Sequence, residues 1–220
     1  MGPEMTADRV GPRNIGAFGG WQAPNDWIEF LRREGTLHFD ARGYVQGIMH
    51  CCTANGGRAM FDVWRNTVTA SGDSVRVNLL LNHAGPWLDV DSHVPYAGRV
   101  DLHVKKACRL AVRVPAWVEP GRVECSVGDK PREIKFDGRY AAVGRVEAGQ
   151  AARLTFPIRE TTDRVSMKNQ WYFLVRRGYD VVFIDPPGRL CPLYQRDHYR
   201  GGATLWKNVT RYVSEQRLGD

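Results

Sequence analysis

The hydrophobic pattern changes period near residue 70, and this change constrains the fold more than any other feature of the sequence. From there to about residue 160, apolar residues alternate with polar ones, as in strands that bury one face. The apolar positions are Val75, Val77, Leu79 and Leu81; Val100, Leu102 and Val104; Leu110, Val112 and Val114; and Leu154, Phe156 and Ile158. Glycine, proline and aspartate separate these runs, so the pattern predicts a mainly β protein built around an antiparallel β-sandwich.

In residues 55–70 the apolar spacing is helical, whereas residues 1–50 show little regular period. The stripe consists of Met60, Phe61, Trp64 and Val68. It predicts a helix of about three turns, which Thr53 or Asn55 can cap and which Ser71–Asp73 ends. One helix cannot bury such a stripe by itself. We therefore expect it to be the last helix of a larger helical domain, with the stripe exposed if that domain is missing.

Two further segments have sequence patterns that predict a hairpin and a short helix. The runs "WYFLV" and "VVFID" flank the turn "RRGYD" and predict a hairpin. Near the N-terminus, Asn25 or Asp26 can cap a short helix through Arg33. The predicted organisation is a helical piece at 1–70, a β-sandwich at 71–163, and a hairpin with a tail at 164–220.

Charge and hydropathy narrow the possible partners. The net charge is +7 and the pI is about 9.3, but the basic residues are scattered rather than clustered, which argues against nucleic-acid binding. No apolar run is long enough to span a membrane. The N-terminus lacks a secretory signal, so we expect a cytoplasmic protein unless the chain lacks its natural beginning.

The pair Cys51–Cys52 is the main chemical feature of the sequence. Five cysteines are an odd number, which makes a disulfide framework the weakest interpretation. A buried apolar pair and a metal or catalytic site remain open. A thiol near a helix N-terminus has a lowered pKa, Gly56 and Gly57 allow a ligand to approach the backbone, and His50 could be a ligand or a proton carrier.

The segments "MHCCTANGGRAMFDVW", "VRVNLLLNH", "AVRVPAWV" and "LTFPI" together resemble the C-terminal half of glycoside hydrolase family 127, the β-L-arabinofuranosidases. The resemblance runs from about residue 45 to 160. It rests on Cys51, Cys52 and Asn55, and on the strand segment Arg113–Trp117. It implies that the sandwich follows the last helix of a truncated (α/α)6 barrel.

The resemblance also implies a mechanism. Cys51 would be the nucleophile of a retaining glycosidase, and Cys51 and Cys52 would bind a zinc ion. The family draws its other zinc ligands and its acid/base glutamate from upstream, whereas no cysteine precedes Cys51 here, and Glu29 and Glu34 lie on a predicted surface helix. The chain alone is therefore expected to be inactive.

The expected partner is a carbohydrate substrate. Trp21, Asn25, Asp26 and His50 are candidate substrate-binding residues, because the Trp-rich loop suits a sugar ring. Core packing at a barrel edge is the alternative for this loop. For the whole chain, the alternatives are a carbohydrate- or protein-binding sandwich without catalysis, and a metal site that recruits His50.

Overall fold

The structure is a computed structural model that describes residues 50–167, 170–187 and 194–206. This part of the chain contains one α-helix and three sheets, which confirms the mainly β prediction. It divides into two units, with boundaries after Phe61, Arg159 and Tyr199. The predicted helix ending at Arg33 lies outside the described residues, and the predicted domain limits stay a prediction.

The helix, α1, spans His50–Thr67. It begins before Thr53 and Asn55, so these residues lie inside it and the prediction that they cap it is wrong. Val68 is also not helical, because it starts a strand and pairs with Val77. The backbone oxygen of Thr67 accepts a hydrogen bond from the Asn78 N–H at 2.8 Å, which marks the change from helix to strand.

The first sheet contains five strands. Their spatial order is β1 (Val68–Ser71), β2 (Ser74–Val77), β6 (Cys108–Arg113), β10 (Tyr140–Val146) and β9 (Lys135–Asp137). All neighbours are antiparallel except β2 and β6, which run parallel. This pair departs from the purely antiparallel prediction, because the chain between β2 and β6 crosses to the other sheet and returns.

The second sheet contains six antiparallel strands. Their order is β3 (His83–Ala84), β4 (Leu88–Ser92), β5 (Arg99–Val104), β11 (Ala151–Thr155), β7 (Glu124–Val127) and β8 (Lys130–Pro131). A short 3-10 turn at Pro120–Arg122 precedes β7.

The two sheets share one apolar core, so they form the predicted sandwich. The alternating residues of β2, β5, β6 and β11 supply its centre: Val75, Val77, Val100, Leu102, Leu110, Val112 and Leu154. The alternating pattern predicted longer strands than the structure has. It continued to Leu81 and to Ile158, whereas β2 ends at Val77 and β11 at Thr155. Leu81, predicted to be a strand position, is exposed.

The motif "RVPAW" has a structural role. Arg139 closes the end of β6 with three hydrogen bonds from its guanidinium: to the carbonyl oxygens of Val114 at 3.2 Å, Val118 at 2.8 Å, and Pro115. The Trp117 ring lies 5.8 Å from that of Phe156, centre to centre, and packs against the core. This part of the resemblance therefore concerns packing rather than chemistry.

The third sheet is antiparallel and has the order β12 (Glu160–Met167), β13 (Gln170–Arg177) and β14 (Asp180–Asp185). The predicted hairpin is confirmed, with Gly178 and Tyr179 at its turn. Its third strand, β12, has too few apolar residues for the alternation to reveal it. A 3-10 turn at Asp197–Arg200 follows.

Candidate functional site

Cys51 and Cys52 occupy the first turn of α1, not the residues before the helix as predicted. The first turn contains no acidic residue. The backbone N–H groups and the positive end of the helix dipole favour a thiolate at this position.

The surroundings of the pair are only partly described. The side chains of residues 50–53, including the candidate His50, lie outside the described part, as do Trp21, Asn25, Asp26, Glu29 and Glu34. Their proposed roles stay predictions. Asn55 is described, and its Oδ1 accepts a hydrogen bond from Arg58 at 3.0 Å.

The glycines after the pair lie within the helix. A Cβ added at Gly57 would meet nothing within 4 Å. Among the described residues, therefore, no close contact at this position requires glycine.

The helix that carries the cysteines is exposed over most of its length. Every residue from 57 to 66 is exposed, including Met60 at 59%, Phe61 at 39% and Trp64 at 39%. These three residues are exposed as predicted, whereas Val68, the fourth residue of the stripe, is partly buried and packs against the sandwich core. The ring of Trp64 lies 5.8 Å from that of His83, centre to centre.

A zinc site needs several His, Cys, Asp or Glu side chains close together. Over the described ranges, no three His, Cys, Asp or Glu residues are grouped so that they could hold a metal ion. Cys108 and Cys125 are buried free thiols, and burial raises the pKa of each. They are therefore poor nucleophiles and poor metal ligands, and the described residues do not complete a zinc site.

The sequence pattern missed a charged cluster around Asp101. The alternation places Asp101 on an outer strand face, but it is 7% exposed. It accepts hydrogen bonds from Arg99, Arg153 and His93, at 2.6, 2.6 and 3.1 Å. Burial raises the pKa of Asp101, but these partners outweigh it and lower the pKa below its ordinary value. A carboxylate held in this way stabilises structure and is not available as a proton donor.

The cluster also fixes the described end of the chain. Nδ1 of His93 lies 2.8 Å from the Thr204 hydroxyl oxygen, and the His93 ring meets the edge of the Trp206 ring at 5.1 Å. The sequence signal that could have revealed the cluster is the cross-strand pairing of Asp101 with Arg153, which requires the register to be known.

An open cleft of about 880 Å³ lies at one edge of the sandwich, beside β7, β8 and β9. Val123, Ile134 and Phe136 form its apolar wall, and Glu124 and Glu133 line it. Its described lining residues lie between Pro120 and Thr155, in the sandwich segment of the sequence.

Solved structures share this fold. A family 127 β-L-arabinofuranosidase from Geobacillus stearothermophilus T6 matches with a TM-score of 0.50 and 18% identity, over 75% of this chain and 28% of that one. The chain has the fold of part of a family 127 glycoside hydrolase. This confirms, at the level of fold, the resemblance seen in the sequence.

Two further structures match with lower scores. One, described as a glycoside hydrolase, has a TM-score of 0.47 and 19% identity, over 71% of this chain and 30% of that one. The other, a family 127 β-arabinofuranosidase, has a TM-score of 0.46 and 19% identity, over 60% and 25%. The chain thus spans less than a third of the length of each of these proteins. No protein-family model and no curated protein matches the sequence.

None of the described helices is both long enough and apolar enough to cross a membrane.

Proposed function

We propose that this chain is part of a glycoside hydrolase that releases β-linked L-arabinofuranosyl units with retention of configuration, and that Cys51 is the nucleophile. The observation that carries the proposal is the position of the Cys-Cys-x-x-Asn motif. It occupies the first turn of the helix that leads into a sandwich whose fold is shared with a family 127 enzyme. The proposed substrate is a carbohydrate with an arabinofuranosyl end.

The proposed chemistry has two steps. The Cys51 thiolate attacks the anomeric carbon and breaks its bond to the leaving oxygen, which takes a proton from a carboxylic acid. Water then attacks the same carbon, giving its proton to the carboxylate, and the C–S bond breaks. The carboxylic acid must come from outside the described residues. In this proposal zinc would be held by Cys51, Cys52 and further ligands that the described residues do not supply.

The proposed mechanism requires Cys51 to be a thiolate, and this requirement can be tested on the isolated chain. The helix N-terminus favours an anion in the first turn, which lowers the pKa of a thiol there. Cys108 and Cys125 are internal controls because burial raises their pKa. The proposal therefore predicts two classes of thiol in one molecule.

Alkylation with iodoacetamide across pH 5–10, mapped to each cysteine by mass spectrometry, tests this requirement. We expect Cys51 to react with a midpoint below that of an ordinary thiol, about 8.5, while Cys108 and Cys125 stay unmodified until the chain is unfolded. Cys52→Ala identifies the Cys51 signal. If Cys51 reacts no faster than Cys108 and Cys125, the proposal is contradicted.

The native polypeptide provides the second test. An antibody to this segment should detect a protein well above 24.9 kDa, because the acid and the remaining ligands require additional chain. In that protein, Cys51→Ala should abolish hydrolysis of p-nitrophenyl β-L-arabinofuranoside, and Cys108→Ala should not. Unchanged hydrolysis in the Cys51 variant would rule out the nucleophile.

A further inference from the structure

The two faces of the third sheet have different chemistry. One face is packed: Tyr172, Leu174, Val182 and Ile184 are each at most 7% exposed. The other face presents Trp171, Phe173 and Phe183, which are 49%, 46% and 37% exposed. We call these three residues the aromatic face.

The strand register brings the aromatic face together. Trp171 and Phe173 are alternate residues of β13, so their Cα atoms are about 7 Å apart on the same side of the sheet. Phe183 on β14 is opposite Val175, which makes it the diagonal neighbour of Phe173. The three aromatic side chains therefore lie on one exposed face, two along β13 and the third diagonally across on β14.

Hydrogen-bonding side chains stand directly across from these rings. Ser166 is the cross-strand partner of Trp171, while Arg164 and Asp185 flank Phe173 on either side. The guanidinium carbon of Arg164 lies 4.1 Å from the centre of the Trp171 ring and 5.7 Å from that of Phe173. This cation–π contact places an exposed donor over one face of the Trp171 ring, so Arg164 forms part of the surface that a ligand would meet.

This combination fits a saccharide better than a protein partner. A sugar ring offers an apolar C–H face and hydroxyl groups around its edge, so it needs aromatic surface and hydrogen-bonding groups side by side. Aromatic and Arg side chains are common in protein interfaces as well, but the centre of such an interface is depleted in Asp and Ser, and here Asp185 and Ser166 adjoin the rings. Val175 is the one aliphatic side chain among the described residues of the exposed face.

We propose that the aromatic face binds a saccharide chain, with Trp171, Phe173 and Phe183 stacking on sugar rings and Arg164 and Asp185 bonding their hydroxyls. The choice of an arabinose-containing chain rests on the proposed function; the stacking chemistry does not. The site lies on strands separate from the cysteine motif and would retain polymer without taking part in bond cleavage.

Isothermal titration calorimetry with linear arabino-oligosaccharides tests the proposal on the full chain. We expect measurable binding, a Kd raised about tenfold by Trp171→Ala or Phe173→Ala, and a smaller loss from Arg164→Met. Tyr179→Ala is the matched control, because Tyr179 is a 65% exposed aromatic at the β13–β14 turn. The melting temperature of each variant shows whether the sheet is intact.

Several results would overturn the proposal. Absence of binding to these oligosaccharides is one, and an equal loss in the Tyr179 variant is another. A concentration-dependent doubling of mass in sedimentation, abolished by Trp171→Ala, would mean that a second copy of the chain covers the face instead.

The two proposals fail separately. Cys51→Ala should bind the oligosaccharides like the unmodified chain, and Trp171→Ala should leave the alkylation of Cys51 unchanged. Binding without a reactive Cys51 would refute only the proposed function, and a reactive Cys51 without binding would refute only the aromatic face as a saccharide site.

Discussion

The Nε of Arg153 lies 2.6 Å from Oδ1 of Asp101, its direct cross-strand partner on β5. Arg99 and His93 bond the other carboxylate oxygen. The sandwich therefore buries an acid and surrounds it with hydrogen-bond donors, two of them permanently charged, and the end of the described chain docks on the same cluster through His93.

The Asp101 cluster should make stability depend on pH. The pKa of Asp101 in the folded chain lies below its ordinary value of 3.8, so the unfolded chain takes up a proton more readily. The stability from this group is present above about pH 4 and is lost as the pH falls through the folded pKa. Urea unfolding between pH 7 and pH 3 measures it.

Asp101→Asn is the matching variant. It should lower the free energy of unfolding at pH 7 by about 1–3 kcal/mol and should flatten the decline toward pH 3. A variant with the same acid-side slope as the unmodified chain would show that other carboxylates cause the slope.

Arg139 should matter for stability through its geometry as well as its charge. Its planar guanidinium bonds the carbonyl oxygens of Val114, Pro115 and Val118 together. Arg139→Met should lower the unfolding free energy by about 1–3 kcal/mol. Arg139→Lys should recover only part of this, since an ammonium group lacks the rigid set of donors. Guanidinium chloride titrations of the three proteins compare them, and full recovery by lysine would contradict the role given to the planar group.

Two glycine-to-alanine changes should have opposite effects on the stability of the chain. A Cβ at Gly98 would overlap the backbone oxygen of Phe156, whose own N–H bonds to the Gly98 oxygen at 2.8 Å. We expect Gly98→Ala to cost at least about 2 kcal/mol. Gly57→Ala lies inside α1 with nothing within 4 Å and should stabilise the chain by about 0.5–1 kcal/mol. Thermal unfolding of the two variants measures both, and a neutral Gly98→Ala would mean that the two strand ends can separate without cost.

The exposed stripe of α1 should promote self-association. Met60 in the stripe and Val63 beside it on the helix are 59% and 38% exposed, and replacing both with Gln removes apolar surface that contacts water. We expect less aggregate in size-exclusion chromatography and a melting temperature within about 2 °C of the unmodified chain. Leu205→Gln, at a 64% exposed residue outside the helix, is the control. An equal improvement from the control would show that general surface hydrophobicity, not the stripe, causes association.

The sequence predicted the centre of the sandwich well, because alternation in a strand decides which side chains share a face. Val75, Val77, Leu102, Val112 and Leu154 are buried as predicted. The hairpin of β13 and β14 was also predictable, since its turn and its two apolar runs are adjacent in the chain.

Other elements depend on strand pairings that the apolar pattern does not show. Val68 is a strand residue because it pairs with Val77 across the short turn at Gly72 and Asp73. The polar strand β12 exists because β13 pairs with it along its length, and the parallel pairing of β2 with β6 follows from where the chain re-enters the sheet.

Some features of the candidate sites were also predictable from the sequence, and others were not. The sequence by itself identified the Cys51–Cys52 motif and its resemblance to a glycosidase family, because a short motif needs no partners to be recognised. Only the tertiary structure placed the pair in the first turn of α1 and showed that the described residues do not complete a zinc site. It also buried Asp101 and gathered Trp171, Phe173 and Phe183 on one exposed face, because pairing between strands, not spacing along the chain, decides which side chains become neighbours.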